Sequence, residues 1–452
     1  MKKTLRDLLK KYDVPVPRYT SYPTVPAWKE SPTSDEWFKS LRTTMNEDQS
    51  SWSMYLHLPF CETMCTFCGC NTIITKDHSK AHPYVLEILK EWELYLTNVP
   101  DLAKKPLKHI HLGGGSPTFL SPMELKFLIE SLFKNIKKTS ENFEASIEVD
   151  PRRTTEDQLK VLRELGFNRV SLGVQDFNTE VQKIIHREQP FEMTRSITDI
   201  SRALGYTSVN FDLIYGLPLQ TKERLISTVE QTLKLSPDRI AFYSFALVPW
   251  IKPAQRLFKD SDLPTSEEKR ELYEIARAMF LQAGYQDIGM DHFAKTTDSL
   301  FTARQNKTLH RNFMGYTDQK TDVLLGLGLS SISETKNMFH QNEKLLPKYQ
   351  ECLASGKIPT HRGHKLSAQD EKQRKKILQI MTQYEYKWEG DSEYQLFQTK
   401  MADFIDEELV DVNEMGFRVT EAGHPFLRNI CALFDDYIPQ NRPEKGLFSK
   451  SI

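Results

Sequence analysis

Short runs with the apolar and branched look of β-strands recur through the first half of the chain, and longer helix-like runs lie between them. The strand-like runs are SMYLHLP (53–59), LKHIHLGGG (107–115), FEASIEVDP (143–151), RVSLGVQDF (169–177), TSVNFDLIYGLP (207–218) and DRIAFYSFALVP (238–249). The helical runs are YVLEILKEWELYL (84–96), SPMELKFLIESLF (121–133), TTEDQLKVLRELG (154–166), FEMTRSITDISRALG (191–205) and TKERLISTVEQTLKL (221–235). Several helical runs open on a Ser or Thr with an acid close behind, and two end in glycine. Strands that alternate with helices in this way argue for an α/β fold with a parallel sheet, curled as a barrel or doubly wound.

The pattern loosens beyond residue 250. PTSEEKRELYEIARAMFLQAG (264–284) is a capped helix, whereas GMDHFAK and LHRNFMGYT are polar, aromatic and of no clear period. After about residue 365 the chain is helical and charged, and it ends in a wing-like order of helix, short strand pair and helix, read as a small helical cap on the barrel. Residues 1–50 read as an irregular arm with proline turns. The expected divisions are 1–50 for the arm, 51–260 for the α/β unit, 261–364 for its extension and 365–452 for the cap.

Composition adds bounds. A chain of 452 residues, 39% hydrophobic and 27% charged, suits a soluble protein with a proper core. The net charge of −1 gives no electrostatic reason for a nucleic-acid or membrane partner. No run approaches a transmembrane helix, and the first residues lack the apolar core of a signal peptide. A cytoplasmic, reducing setting is therefore expected.

That setting decides how the cysteines are read. Four of six lie in CETMCTFCGC (61–70). Clustered cysteines in a large reduced protein point to metal or redox chemistry. A structural zinc would need a fourth ligand, with Cys70 or His57 as candidates. The spacing C-x3-C-x2-C places three thiolates on one tight loop, and thiolates hold iron–sulfur clusters. Ligands in parallel α/β folds bind at the C-terminal ends of the strands. The notable residues fall there: the cysteines after the first strand, Gly113 to Ser116 after the second, Glu148 and Asp150, Gln175 and Asp176, Asp212 and Tyr215, and Ala246.

Cys61, Cys65 and Cys68 after a first strand, with a glycine run after the second, resemble the radical S-adenosylmethionine superfamily. The words YLHLPFCETMCTFCGC, HLGGGSPTFL, IEVDPR, SLGVQDFN, DLIYGLPLQT, IGMDHFA, HRNFMGYT and PRYTSYPT together resemble the oxygen-independent coproporphyrinogen III oxidases, from about residue 14 to the C-terminus. The resemblance implies a three-quarter (β/α)6 barrel of parallel strands, a mainly helical C-terminal domain and an irregular N-terminal arm. It implies oxidative decarboxylation of two propionates of coproporphyrinogen III to the vinyls of protoporphyrinogen IX, in anaerobic haem synthesis. It also implies a [4Fe–4S] cluster on Cys61, Cys65 and Cys68, with Cys70 a characteristic cysteine that is not a ligand. Two bound molecules of S-adenosylmethionine and an electron donor such as flavodoxin or ferredoxin follow, in a monomer.

By the same resemblance, Gly115 and Ser116 approach the methionine part of the cofactor, Arg187 pairs with its carboxylate and Glu148 anchors its polar end. Gln175 and Asp212 hold ribose hydroxyls. Ile214, Ala246 and Ile332 line cofactor pockets, and Tyr55 sits beside the sulfonium. Tyr55 and Glu148 are the expected catalytic residues. The arm, with Arg18, Tyr19 and Tyr22, is expected to cover the site. Arg18, Arg256, Arg311, His292 and His310 are candidates for the substrate carboxylates. Three positions depart from the family pattern: Ser116 for Thr, Leu247 for His, and Met314 for Gln, which removes a hydrogen-bond donor. Two rival readings share the barrel: a haem-binding chaperone, which Cys70 and the tyrosine arm disfavour, and a radical enzyme for another tetrapyrrole.

Overall fold

In the computed structural model, which describes residues 4–28, 30–250, 252–438 and 448–450, all six strand-like runs are strands. They are Trp52–Leu58 (β1), Leu107–Gly114 (β2), Thr139–Val149 (β3), Arg169–Gln175 (β4), Ser208–Tyr215 (β5) and Arg239–Ser244 (β6). Each pairs in parallel with the next in chain order. A helix follows each of the first five and packs outside, as a right-handed crossover requires. The helix starts are built as the sequence suggests. Ser121 and Glu124, Thr155 and Gln158, and Thr265 and Glu268 form reciprocal capping boxes.

The sheet continues past these six strands. After β6, Gln286–Gly289 (β7) and His292–Ala294 (β8) add antiparallel, with β8 against β6. His310–Asn312 (β9) and Gly315–Thr317 (β10) form a separate hairpin. Val323–Leu327 (β11) then returns to pair in parallel with the free side of β1. Ile332–Glu334 (β12), Met338–Asn342 (β13) and Thr360–Lys365 (β14) extend that edge antiparallel. The parallel strand β11 was not read from the sequence. VLLGL is a five-residue run, buried throughout, and a short unalternating apolar run carries no period to read.

The N-terminal arm is less irregular than its prolines suggest. It holds two capped helices, Leu5–Tyr12 and Ser34–Met45. Trp37 of the second is fully buried and stacks on His340 of β13 at 5.0 Å between ring centroids. The first helix joins a different core. Leu8, Leu9, Tyr12, Tyr19 and Tyr22 pack with Ile380, Tyr384, Phe417, Phe426 and Ile430 of the C-terminal segment. That segment holds a helix (Ala368–Gln383), a three-stranded antiparallel sheet interrupted by helices Asp391–Lys400 and Ala402–Asp406, and a last helix (Leu427–Ala432). It has one strand more than the expected pair, Glu385–Lys387 beside Gly416–Val419.

Both chain ends meet on one side chain of this second core. Arg428 is buried and donates to the carbonyls of Pro17 (3.0 Å), Lys450 (2.9 Å), Ser449 (3.2 Å) and Val16. Replacement by Met leaves those carbonyls without this donor. A buried polar group left unmade costs about 1–3 kcal/mol. Arg428→Met is therefore expected to lower stability by about 3–5 kcal/mol in denaturant unfolding. It should also speed proteolytic loss of the arm. Unchanged stability with an intact arm would show that the tail and arm are held by other contacts.

Candidate functional site

Side chains alternate faces along a strand, and here the inner face is polar. His109 and His111 of β2, Glu144, Ser146 and Glu148 of β3, Arg169, Ser171 and Gln175 of β4, Asn210 and Asp212 of β5, and Arg239 and Tyr243 of β6 all line one lumen. The residues between them, such as Ile110, Ile147, Leu172, Phe211 and Phe242, are buried against the helices. The lumen encloses about 510 Å³, a volume suited to a small-molecule ligand.

The cysteine loop closes one end. Cys61, Cys65, Cys68 and Cys70 are free thiols on the wall of this cavity. The loop is pinned by Thr66 N–H donating to Ile185 O (3.1 Å), by Phe67 packing beside Val181 and Leu217, and by Lys252 Nζ donating to Cys70 O (2.8 Å). Two guanidiniums approach Cys65 Sγ, Arg152 Nη2 at 3.5 Å and Arg187 Nη1 at 3.8 Å. Burial, aided by the neighbouring thiols, pushes Cys61 up to about 12. A hydrogen bond from Cys70 draws Cys68 down. Among the described residues, no three His, Cys, Asp or Glu side chains converge as ligands of a single metal ion.

The glycine run serves this loop more directly than expected. Gly115 N–H donates to Leu58 O (2.8 Å), and Ser116 N–H donates to Phe60 O (2.9 Å). A Cβ on Gly115 would stand 2.6 Å from Pro59 O. One on Gly114, whose φ is +112°, would stand 2.8 Å from the His57 ring. Glycine is thus required by the close approach of the cysteine loop, and two of the amides expected to meet a ligand are already engaged. Gly114, Gly115 and Ser116 still border the cavity.

Of the other expected residues, Glu148 reaches into the lumen and accepts from His111 (3.2 Å) and Gly114 N–H (3.3 Å). Burial opposes its charge, but His111 and that amide outweigh burial and hold it below the usual carboxylate range. Arg187 donates to Gly173 O (2.6 Å) and to Asp150 (3.4 Å), while its Nε is buried without a partner. Gln175 takes a left-handed φ of +67° at a bulge opposite β5. Such a conformation in a residue other than glycine is strained, and it re-aims the side chain into the site. Asp212 accepts from Ser171 (2.9 Å) and Asn210 (2.9 Å), and Ile214 lies above it on the same wall.

Several expected residues lie elsewhere. Tyr55 is buried on the inner face of β1, stacked on His111 (5.8 Å between ring centroids), with its hydroxyl 3.1 Å from His57 Nδ1 and its ring edge-on to Phe313, though it is not among the cavity-lining residues. His57 Nε2 is bonded to Asn71 O (2.9 Å), so both its nitrogens have partners other than a metal. Asp176 is fully buried away from the lumen, where it binds Gln220 (2.7 Å), Thr228 (2.8 Å) and Asn178 N–H. Tyr215 packs on Phe242 and Tyr273. Ala246 is half-buried beyond β6, and Ile332 opens β12; neither is among the cavity-lining residues. Tyr19 and Tyr22 do not cover the lumen. They are buried in the C-terminal core, bonded to Asp435 and to the amide of Asp436.

Among the substrate candidates, His292 lines the cavity, whereas Arg18 and Arg311 are not among the lining residues and face Asp291, the neighbour of His292 in sequence. Arg256 is exposed and donates to Pro249 O (3.2 Å), and His310 is only a strand partner of Thr317. Met314 lines the lumen at the tip of the β9–β10 hairpin. Leu247 packs on the apolar group that carries Phe67. Arg152, Lys252, Tyr243, His111 and Asn210 were not singled out from the sequence. Alternation along β2 to β6 was the signal that could have found all but Arg152 and Lys252.

A family model of the radical SAM superfamily matches residues 55–232. The oxygen-independent coproporphyrinogen III oxidase of Synechocystis is 39% identical over 460 residues, covering 99% of this chain and 97% of its own. The protein of that name from Escherichia coli is 38% identical over 442 residues, covering 96% and 95%. The chain belongs to the oxygen-independent coproporphyrinogen III oxidase family. The solved structure of coproporphyrinogen III oxidase from Escherichia coli, described as a radical SAM enzyme, matches with a TM-score of 0.86 at 36% identity, covering 96% of this chain and 99% of that one. Two departures from the pattern of the oxidases, Ser116 and Met314, border the lumen, whereas Leu247 does not.

Asp212 gives a test of the lumen's electrostatics. Burial, with help from Glu148, raises its carboxyl from 3.8 to about 6. An acid raised on folding binds its proton more tightly in the folded chain, so stability is present below about pH 4 and is lost as pH rises toward 6. Asp212→Asn is therefore expected to raise the unfolding temperature of cofactor-free protein by a few degrees at pH 7.5 and by less at pH 5. An equal gain at both values would show that Asp212 carries no charge cost there.

Proposed function

We propose that this protein decarboxylates two propionate side chains of coproporphyrinogen III oxidatively, giving the vinyl groups of protoporphyrinogen IX in anaerobic haem synthesis. The observation that carries this reading is the near full-length match to oxidases of that name, arm and C-terminal segment included. A [4Fe–4S] cluster and S-adenosylmethionine are the family's cofactors, and when bound they supply an electron and carbon-centred radical chemistry. The chain's own residues fit both. Three thiols share one wall of a ligand-sized polar lumen, and Arg187 keeps a buried Nε without a partner.

In this reading Cys61, Cys65 and Cys68 hold the cluster and leave one iron open to the cofactor. Arg187 takes the cofactor carboxylate, a pairing suited to a guanidinium. Glu148, held ionised, takes its ammonium group. Gln175 and Asp212 hold the ribose, Gly115 and Ser116 border the methionine part, and Ile214 packs on the adenine. Ala246 and Ile332 belong to pockets completed when two cofactor molecules are bound. Tyr55, on the inner face of β1 against His111, stands beside the sulfonium. The protein's work is to orient the propionate and exclude water. The donor is a small reducing protein such as flavodoxin or ferredoxin, the enzyme is a monomer, and its setting is cytoplasmic. Among the described residues no helix is long and apolar enough to cross a membrane.

Two experiments test the assignment. Anaerobic reconstitution should give about four irons per chain. Ser at Cys61, Cys65 or Cys68 should abolish the cluster absorption, and Cys70→Ser should keep it. Arg187→Ala should keep the cluster and weaken S-adenosylmethionine binding in equilibrium titration. Tight zinc without iron–sulfur absorption would end the reading.

Met314 decides whether the substrate is the usual one. If its neighbours supply the missing hydrogen bond, the wild type forms vinyl product and Met314→Gln changes the rate only modestly. A restored hydrogen bond of about 0.5–1.5 kcal/mol would give at most about two- to tenfold. The modest change is the expected outcome. No vinyl product from either form, with cofactor still cleaved beside another tetrapyrrole, would move the protein to a different substrate.

A further inference from the structure

At the mouth of the barrel, beyond the last parallel strand, one buried carboxylate faces three cationic or protonatable groups from three parts of the chain. Asp291 lies in the turn between β7 and β8. His292 Nδ1 is 2.7 Å from its Oδ1. Arg311 Nη1, from β9, is 3.8 Å from Oδ1, and Arg18 Nη1, from the arm, is 3.8 Å from Oδ2. These guanidinium distances allow attraction but exceed a hydrogen bond. Burial opposes charge on Asp291, but His292, Arg311 and Arg18 together hold its carboxyl well below the usual range.

The arrangement leaves polar valences unused. Arg311 has a side chain only 3% exposed, and its Nε and Nη1 have no hydrogen-bond partner. Asp291 Oδ2 also has none. Buried polar groups are otherwise nearly always paired. One carboxylate against two guanidiniums leaves a positive surplus. The surroundings are rigid. Arg311 lies over the Tyr316 ring, 4.4 Å from its centroid, and the Tyr316 hydroxyl donates to Met381 O (2.8 Å) of the C-terminal domain. With Nδ1 committed to Asp291, His292 leaves Nε2 on the lumen side, beside Gly315 and Met314.

We propose that Arg311 and Arg18, held by Asp291, and Nε2 of His292 form the anchor for one propionate carboxylate of the tetrapyrrole. This deepens the oxidase reading and rests on it for the identity of the ligand. A carboxylate fits because its two oxygens can be shared between two guanidiniums, each of which presents parallel donors. The anchor is distinct from the Arg187 end, where Asp150 and Cys65 are the neighbours. Asp291 is a positioning residue, since it acts through the arginines. The site also explains the arm. Arg18 Nη2 donates to Ser244 O (2.9 Å) at the end of β6, so the N-terminal segment supplies a site group while Tyr19 and Tyr22 moor it to the C-terminal domain.

The test compares two stable probes on the reconstituted full-length enzyme: coproporphyrin III and its tetramethyl ester, which has the same ring and no carboxylates. Loss of a charge-assisted hydrogen bond should weaken coproporphyrin III binding to Arg311→Gln by about ten- to a hundredfold. The ester should bind wild type and variant alike, and the cluster absorption and S-adenosylmethionine affinity should not move. Equal binding of coproporphyrin III by both proteins, or an equal loss for both probes, would overturn the proposal. Should Arg311→Gln fail to assemble its cluster, Arg18→Gln carries the same comparison with an expected loss of about three- to tenfold. Absence of vinyl product from the wild type would sink the oxidase reading separately, because the acid-against-ester difference does not depend on turnover.

Discussion

A parallel barrel that turns polar side chains inward cannot be held together from the inside. That constraint orders the rest of this structure. The inward residues of β2 to β6 are mostly polar, His, Glu, Ser, Arg, Gln, Asn and Asp, with Ile214, Ala241 and Tyr243 among them, so the inner face contributes less apolar burial than the outer. Cohesion comes from the opposite face, where Ile, Leu, Val and Phe pack against the helices and are fully buried. At about 25 cal/mol per Å² of apolar surface removed from water, that outer layer is the main favourable term. The lumen is thereby freed from packing and can be lined entirely for chemistry.

Keeping charge inside such a lumen requires that each ionised group have a partner. Asp150 has Arg152 and Arg187. Glu148 has His111. Glu144 has Arg169, and Arg239 has Asp298. Buried pairs of this kind gain little over apolar packing, but removal of one partner is expensive. Their presence therefore speaks for function more than for stability. Among the groups left incompletely satisfied, Arg187 at one end and Arg311 with Asp291 at the other mark where an anionic ligand would restore the balance. The strained Gln175 lies in the same cavity, on β4. Local strain of this kind persists only where the surroundings over-determine it.

Much of this was legible in the chain before any coordinates. The six parallel strands β1 to β6 and the helices between them were readable because each was long enough to show its period, and the capping signals placed the helix starts. The cysteine loop was readable because spacing alone is informative for thiolates. What escaped did so for identifiable reasons. β11 is short and uniformly apolar. The bulge at Gln175 leaves no compositional trace. Asp176 and Gln175 are neighbours in sequence, yet one serves helix docking and the other the lumen, and only the bulge decides which. Tyr19 and Tyr22 looked like cover for a pocket because aromatic residues suit both a lid and a core. The partner that makes them core, the segment from about residue 368 to 436, lies more than three hundred residues away.

That separation has a consequence for how the site is assembled. The groups beside the lumen draw on both ends of the chain. Arg18 reaches the end of β6, and the segment that carries it is fixed by Arg428, which also holds Ser449 and Lys450. Tyr316, against which Arg311 lies, is bonded to the helix Ala368–Gln383. The barrel therefore supplies the cysteine loop and the cofactor wall, and the β9–β10 hairpin adds Met314, Tyr316 and Thr317 on the far side, while the arm reaches Asp291 and the C-terminal segment holds Tyr316 from behind. The cysteine loop and the proposed anchor are thus positioned by different parts of the chain, the first by the barrel and the second by the arm, the turn before β8 and the β9–β10 hairpin. Chemistry at the cluster end can then be common to a whole superfamily, while in the proposed reading the substrate is met by side chains outside the cysteine motif.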